Sequence, residues 1–336
     1  MNRRNFVKKS ALTGIVSGAS CFVPLGALNR QKMKYTERSF PLAITMWEFS
    51  WLERCWPGAG YEDWDKALSE LVERGYDAVR IDAFPHLVST APEKVWGLDP
   101  HWNNQLWGSP VYNEVQVQPA LNDFIKKCGE YNVKVALSTW WREDTEQTVN
   151  TIKSGRDLGM MWKKTLDSIA EEGLLDNIIF VDLSNEYSIG VWTPYLPDGT
   201  KRNSELAISY MHESIDLLAK AYPEMPFCFS ITTEFDKWKT EDVSRQDLLE
   251  LHIWIANSSG FNQEVGYNFQ RFGFDDYKKL QLNAQRLYRE KEKHWLKQLN
   301  DRIDLAINWS KHAKLPMVTT ECWGPIDYRD FPLLEW

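Results

Sequence analysis

From residue 41 onward, short apolar runs alternate with longer amphipathic segments. Residues 41–51 predict a first strand. Residues 61–74 carry Trp64, Ala67, Leu68, Leu71 and Val72 at helical spacing and predict a helix that Gly75 stops. Residues 77–84 predict a second strand, with Arg80 and Asp82 near its end. Residues 90–108 are marked by Trp and Pro without a period and read as a loop. A helix over 119–131 leads to a third strand over 133–141, ending in Trp140, Trp141 and Arg142. A helix over 155–172 precedes the apolar run 178–181, a fourth strand that stops abruptly at Asn185 and Glu186.

The same rhythm continues. Residues 187–203 form a loop with a Pro-Asp-Gly turn signal, and 204–221 predict a helix. Residues 227–233 and 248–255 predict the fifth and sixth strands, the sixth carrying His252 and Trp254. A Gly- and aromatic-rich loop over 257–274 leads into 275–313, too long for one ordinary helix and read as a lid-like helix followed by another. Residues 316–321 predict a seventh strand ending at Glu321, followed by Cys322, Trp323 and Gly324.

Strands alternating with helices predict an α/β fold around a parallel sheet. Long segments after the strands favour a TIM (β/α)8 barrel, and no Gly-rich nucleotide fingerprint follows the first strand. Only 325–336 remain after the seventh strand. The expected barrel is therefore incomplete at the C-terminus, with strand 8 missing from this chain.

The chain has 336 residues, enough for one large domain. A net charge of −8 argues against a nucleic-acid partner, since phosphate binding needs a basic face. Seventeen Trp supply apolar ring faces of the kind that stack on sugars. The five scattered cysteines form no CxxC pair, so neither a zinc site nor a disulfide framework is expected, and Cys322 reads as a packing residue.

Residues 1–35 read as an export signal and linker, leaving 36–336 as the barrel domain. Arg3-Arg4-Asn5-Phe6-Val7-Lys8-Lys9 is a twin-arginine-like start, followed by a weakly apolar stretch of small residues. This predicts Tat export to the periplasm or cell surface. A permanent membrane span is not expected; Gly18-Ala19-Ser20-Cys21 marks Cys21 as a candidate lipid anchor.

The candidate chemistry lies in two strand-terminal glutamates, Glu186 and Glu321, 135 positions apart. A parallel barrel presents catalytic groups at the C-terminal ends of its strands. Glycosidic cleavage needs one carboxylic acid to protonate the departing oxygen and one carboxylate to meet the anomeric carbon. Arg80 would hold Glu321 ionised, and Trp47, Trp141, Trp254 and Trp323 are candidate sugar platforms. A metal-dependent alternative would use Asp82, His86, Glu186 and His252.

Arg80, Asn185-Glu186, His252 and Glu321, in this order and strand placement, make the chain resemble clan A retaining glycoside hydrolases, and most of all the cellulase-like proteins of Bacteroidetes. The resemblance implies a two-glutamate double displacement on a β-linked oligo- or polysaccharide, with Glu186 as acid/base, Glu321 as nucleophile and no cofactor. It also implies that Asn185 bonds the sugar 2-hydroxyl and that His252 orients a carboxylate or the sugar. The family pattern His-x-Tyr on the sixth strand is here His252-Ile253-Trp254, which leaves the Tyr role to Tyr187 or to none, and the family's stacking Trp from strand 8 has no counterpart. These departures motivate the alternative of a non-catalytic glycan-binding protein on a degenerate barrel.

Overall fold

The computed structural model describes residues 41–46, 50–100, 109, 111–232, 235–255, 259–268 and 274–323. Parallel strands run in the order β1 (Ile44–Met46), β2 (Ala78–Asp82), β5 (Lys134–Ser138), β6 (Ile178–Asp182) and β7 (Phe227–Cys228). The arc resumes after two residues with β8 (Ile231–Thr232), which pairs with β9 (Leu249–Trp254). Both β10 (Met317–Val318) and β11 (Cys322–Trp323) pair with β9. All these pairings are parallel. With helices flanking the strands, this is the mixed α/β architecture of an incomplete (β/α)8-like barrel. Residues 324–336, where the chain was expected to run out before strand 8, lie outside the described residues.

Alternation along the strands separates two environments. Val79, Ile81, Val135, Leu137 and Val181 enter the apolar layer under the helices. Their neighbours Arg80, Ser138 and Asp182 meet one another inside the barrel. The helices over this first arc are α2 (Trp64–Glu73), α4 (Val117–Glu130), α5 (Gly155–Glu171) and α6 (Glu205–Ala221); α1 (Ser50–Glu53) and α3 (Pro85–Thr90) are short. Side chains of Asp63, Ser154 and Ser204 cap α2, α5 and α6 by accepting first-turn amides. Gly155 lets α5 approach α6 closely; a Cβ there would lie 2.6 Å from the Tyr210 backbone.

The second arc is built differently. A smaller core of Ile231, Phe235, Leu249, Leu251, Ile253, Ala306 and Trp309 includes two residues of α9 (Glu292–Ala313). A satellite cluster joins α7 (Phe261–Val265), α8 (Phe274–Glu290) and Trp295 of α9. The long charged stretch is thus two helices, as its length predicts, with α8 packed into that cluster.

Several expected boundaries change. The first strand is three residues long, and Ser50–Glu53 is helical. The expected loop over 90–108 contains β3 (Val95–Leu98), paired antiparallel with β4 (Asn113–Gln116). The fifth and seventh strands are each broken in two. At each break a buried carboxylate of the preceding strand takes an amide: Ser230 N donates to Asp182 Oδ1 at 2.8 Å, and Thr320 N donates to Glu250 Oε1 at 2.9 Å. Asp82 does the same beyond β5, accepting from Trp140 N at 2.9 Å. Side-chain acceptors thus replace ladder bonds where the chain turns at the rim.

Candidate active site

Arg80 lies at the centre, fully buried on β2. Its Nη1 donates to Glu321 Oε1 at 2.8 Å, and its Nη2 donates to Asp182 Oδ2 at 2.6 Å and Asn185 Oδ1 at 2.8 Å. Trp140 presents its ring 4.5 Å from the guanidinium carbon. Because Arg80 holds the Asn185 carbonyl oxygen, the amide orientation is fixed. The buried Asn185 Nδ2 has no partner among the described residues, leaving a donor for a polar ligand.

Glu186 sits four residues beyond β6 with a left-handed backbone, φ 43°. This conformation is uncommon for a side-chain-bearing residue, and it turns the chain sideways at the rim. Glu186 N donates to Ser230 Oγ at 2.8 Å, and Tyr187 N donates to Ser230 O at 3.0 Å. Around the Glu186 carboxylate, Trp192 Nε1 donates to Oε2 at 2.7 Å, while His252 Nδ1 and Trp254 Nε1 approach Oε1 at 2.9 and 3.3 Å.

His252 joins the two glutamates. Its Nδ1 is 2.9 Å from Glu186 and 3.2 Å from Glu321 Oε2, and its Nε2 forms an ion pair with Glu250 Oε2 at 2.7 Å. One side-chain atom from each of Glu186, His252 and Glu321 lies within 4.8 Å of the others. Such a trio could offer ligands to a divalent cation. Here, however, Arg80 already provides a permanent positive charge against Glu321. The metal set suggested by sequence is not assembled: Asp82 accepts from Phe84 N and Trp140 N, and His86 Nε2 contacts Arg142 O.

The electrostatics follow from burial and crowding. Burial opposes charge on His252, but Glu250, then Glu321 and Glu186, outweigh it and lift the imidazole well above its ordinary range. Burial would raise Glu250, yet the His252 charge and contact, followed by Arg80 and Thr320, bring it down to about 2. Glu321 goes the other way. Burial pushes it up, His252 and Arg80 pull it back, and Glu186 and Glu250 push again, for a value of about 7. Glu186 also suffers burial, but hydrogen bonding and charge from His252, with the Trp192 and Trp254 donors, hold it below the usual carboxylate range. Burial and crowding thus raise Glu321 while the His252 contact lowers Glu186, the reverse of the order that the expected acid/base and nucleophile roles need.

Six of the expected residues converge: Arg80, Asn185, Glu186, His252, Trp254 and Glu321. Trp141 does not serve as a platform. It is buried, its indole donates to Ser184 Oγ at 2.8 Å, and His86 and Tyr195 pack against it. Trp47 lies outside the described residues. Trp323, on β11, is in register with Trp254 of β9, and its side chain is likewise outside them. Tyr187 does not reach the site, since its hydroxyl donates to Ala207 O at 2.7 Å. Burial pushes the Cys322 thiol up to about 12, in keeping with a packing role.

Sequence reasoning missed Glu250, Trp192 and Ser230. Glu250 had a signal: Glu250, His252 and Trp254 occupy alternate positions and share one face of β9. Trp192 had none, lying in a loop without period.

Residues 44–336 match the cellulase-like family, described as sugar-binding cellulase-like. A crystal structure from Parabacteroides distasonis, of a protein described as a glycoside hydrolase, is 47% identical, covering 87% of this chain and 79% of that one with a TM-score of 0.82. An uncultured Clostridium β-glucuronidase (10% identity, 84% and 36% of the two chains, TM-score 0.40) and a rice β-glucosidase (8%, 63% and 63%, TM-score 0.39) also align. No curated protein matches the sequence. A family match across nearly all of the described fold, together with this near-half identity, means that the chain belongs to the cellulase-like family of glycosidases.

Proposed function

We propose that the chain is a retaining glycoside hydrolase that cleaves a β-linked oligo- or polysaccharide, with Glu186 as acid/base and Glu321 as nucleophile. One observation carries the reading: the two glutamates share His252 Nδ1, at 2.9 and 3.2 Å. Retaining enzymes hold their carboxyls about 5–5.5 Å apart, whereas inverting enzymes leave about 6.5–9.5 Å for a water. The atoms within 4.8 Å here favour the first class.

The proton inventory supports it. Asp182, Glu186, Glu250 and Glu321 face two cations, Arg80 and His252, so retention of a proton within the group is favoured. Coupled carboxyls titrate as a pair. Between the depressed step and about 7, the Glu186–Glu321 pair carries one proton, the number that a double displacement needs. Attack by Glu321 on the anomeric carbon then accompanies proton delivery from Glu186 to the departing oxygen, after a shift within the pair. Arg80 stabilises the ionised nucleophile, and the free Asn185 Nδ2 is available to a sugar hydroxyl.

The raised Glu321 favours a second assignment, with the roles exchanged. A mechanism-based fluoroglycoside distinguishes them: peptide mapping is expected to find the label on Glu321, and a label on Glu186 reverses the roles. Sugar binding unaffected by Glu186→Gln, with no turnover in either protein, would instead favour a glycan-binding protein.

We also propose that residues 1–35 are an export signal of twin-arginine type, delivering the barrel to the periplasm or cell surface, with Cys21 as a lipid-attachment candidate. No helix among the described residues is long and apolar enough to cross a membrane. Mass spectrometry of the mature N-terminus tests both the cleavage and the lipid.

A further inference from the structure

We propose that Glu250 is a positioning residue for the glycosidic reaction, clamping the His252 ring and the Thr320 backbone at once and so setting how Glu186 and Glu321 face each other. The inference rests on the two-glutamate reading above. Glu250 is fully buried on β9. Its Oε2 lies 2.7 Å from His252 Nε2, while its Oε1 accepts from Thr320 N at 2.9 Å and from Thr320 Oγ1 at 2.5 Å. Thr320 immediately precedes Glu321, and His252 Nδ1 reaches both glutamates. A single carboxylate thus governs the ring that spans the pair and the backbone from which one member hangs.

A purely structural role would be to fill the break between β10 and β11, as Asp182 fills the break between β7 and β8. Asp82 gives the sharper contrast. Both of its oxygens accept backbone amides, from Phe84 and Trp140. Glu250 directs only one oxygen to the backbone and the other to an imidazole whose far nitrogen lies against the reacting carboxyls. A buried carboxylate in ion-pair contact behind a histidine keeps the ring charged and attracts it to one position. Glu250, Glu186 and Glu321 face the ring, and Arg80 and Asp182 lie within electrostatic reach of Glu250.

Glu250→Gln retains the size and an acceptor for Thr320 while removing the charge. Nitrogen-15 NMR of His252 is expected to show a wild-type imidazolium that persists well above the ordinary range, and a ring in E250Q that titrates lower by at least about one pH unit. With an activated aryl glycoside, kcat is expected to fall roughly 10²-fold in E250Q, within the span of acid–base positioning, with KM little changed. An E250Q protein that folds and shows wild-type His252 titration and an unchanged pH profile overturns the proposal, even if its kcat falls. Should E250Q not fold, Glu250→Asp carries the test: its carboxylate is withdrawn by one methylene, and a wild-type kcat there overturns the proposal. If Glu186→Gln hydrolyses at the wild-type rate, the two-glutamate reading fails instead, and the His252 titration still decides whether Glu250 controls the ring.

Discussion

The two arcs of the barrel are held together by different means. In the first, β2, β5 and β6 are five residues each, and a broad apolar layer packs them against α2, α4, α5 and α6. In the second, β8, β10 and β11 are two residues each around the six-residue β9, and the smaller core includes Ala306 and Trp309 of α9. Where ladder bonds stop, buried carboxylates take over the amides. The regular arc is held by continuous ladder bonds, and the broken arc replaces some of them with side-chain acceptors at the rim. The candidate site spans the join: Glu186 follows the last long strand of the first arc, and Glu321 sits inside the final break of the second. A continuous ladder on one side and a side-chain-bonded backbone on the other bring two like charges close together.

Two buried arginines offer the strongest test of that contrast. Arg142 Nε and Nη2 donate to Glu53 at 2.8 Å each, on the first-arc side and away from the glutamate pair. Arg80 instead bridges both arcs through Asp182 and Glu321. Removing one partner of a buried pair leaves an uncompensated charge and costs about 3–5 kcal/mol. Arg80→Met and Arg142→Met are therefore expected to lose similar stability in urea titrations. Only Arg80→Met is expected to lose glycosidase turnover as well, because Glu321 then lacks its cation. Equal loss of turnover in the two folded variants would erase the distinction between the arcs.

A pH experiment compares the same regions more finely. Burial lifts Asp82 to about 7 despite its amide donors, and Glu321 also stands at about 7. The first belongs to the scaffold and the second to the site. A carboxyl whose folded pKa is raised contributes stability that is fully present below its unfolded value and lost as pH rises through about 7. Asp82→Asn is therefore expected to flatten the fall in stability between about pH 4 and 7. The basic limb of kcat/KM is expected to remain near 7 in that variant. Above it the glutamate pair loses its last proton, and the rate falls about tenfold per pH unit. On the acid side the pair keeps a nucleophile until Glu186 is protonated, below the ordinary carboxylate range, so the plateau extends downward. A basic limb that moves with Asp82→Asn would show that scaffold and site titrate together.

The first arc was also the more legible in the sequence. Val79-Arg80-Ile81-Asp82 alternates apolar and charged residues, which sends the arginine inward. The end of the fourth strand at Asn185-Glu186 is a local change in polarity. The second arc hides its structure because its determinants are distant in sequence. Residues 227–233 read as one strand, and nothing local marks the break at Ser230, whose amide goes to Asp182, 48 positions away. The Glu250–Thr320 bond spans 70 positions. The alternation of Glu250, His252 and Trp254 along the strand is local, but the Thr320 amide that Glu250 accepts is not. The β3–β4 hairpin escaped for another reason: its short strands lie in a Trp- and Pro-marked stretch that gives no clear period. Trp141 was misplaced because position at a strand end does not reveal whether a ring faces solvent or the core.

The smallest effect separates two serines that touch the same arginine. Ser138 Oγ, in β5, accepts from Arg80 Nη2 at 3.0 Å and donates to Asp182 Oδ2 at 2.7 Å. Both of those partners keep other bonds when it is removed. Ser230 Oγ, in the break between β7 and β8, accepts the Glu186 amide at 2.8 Å and is 3.5 Å from Arg80. Ser230→Ala leaves that buried amide unpaired at a residue already in a left-handed conformation, a cost of about 1–3 kcal/mol. Because the unpaired group belongs to Glu186 itself, kcat is expected to fall further in Ser230→Ala than in Ser138→Ala at comparable stability, as read from paired urea titrations and initial rates. The opposite order would mean that the regular arc, through Asp182 and Arg80, aims the acid, and that the broken strand only accommodates it.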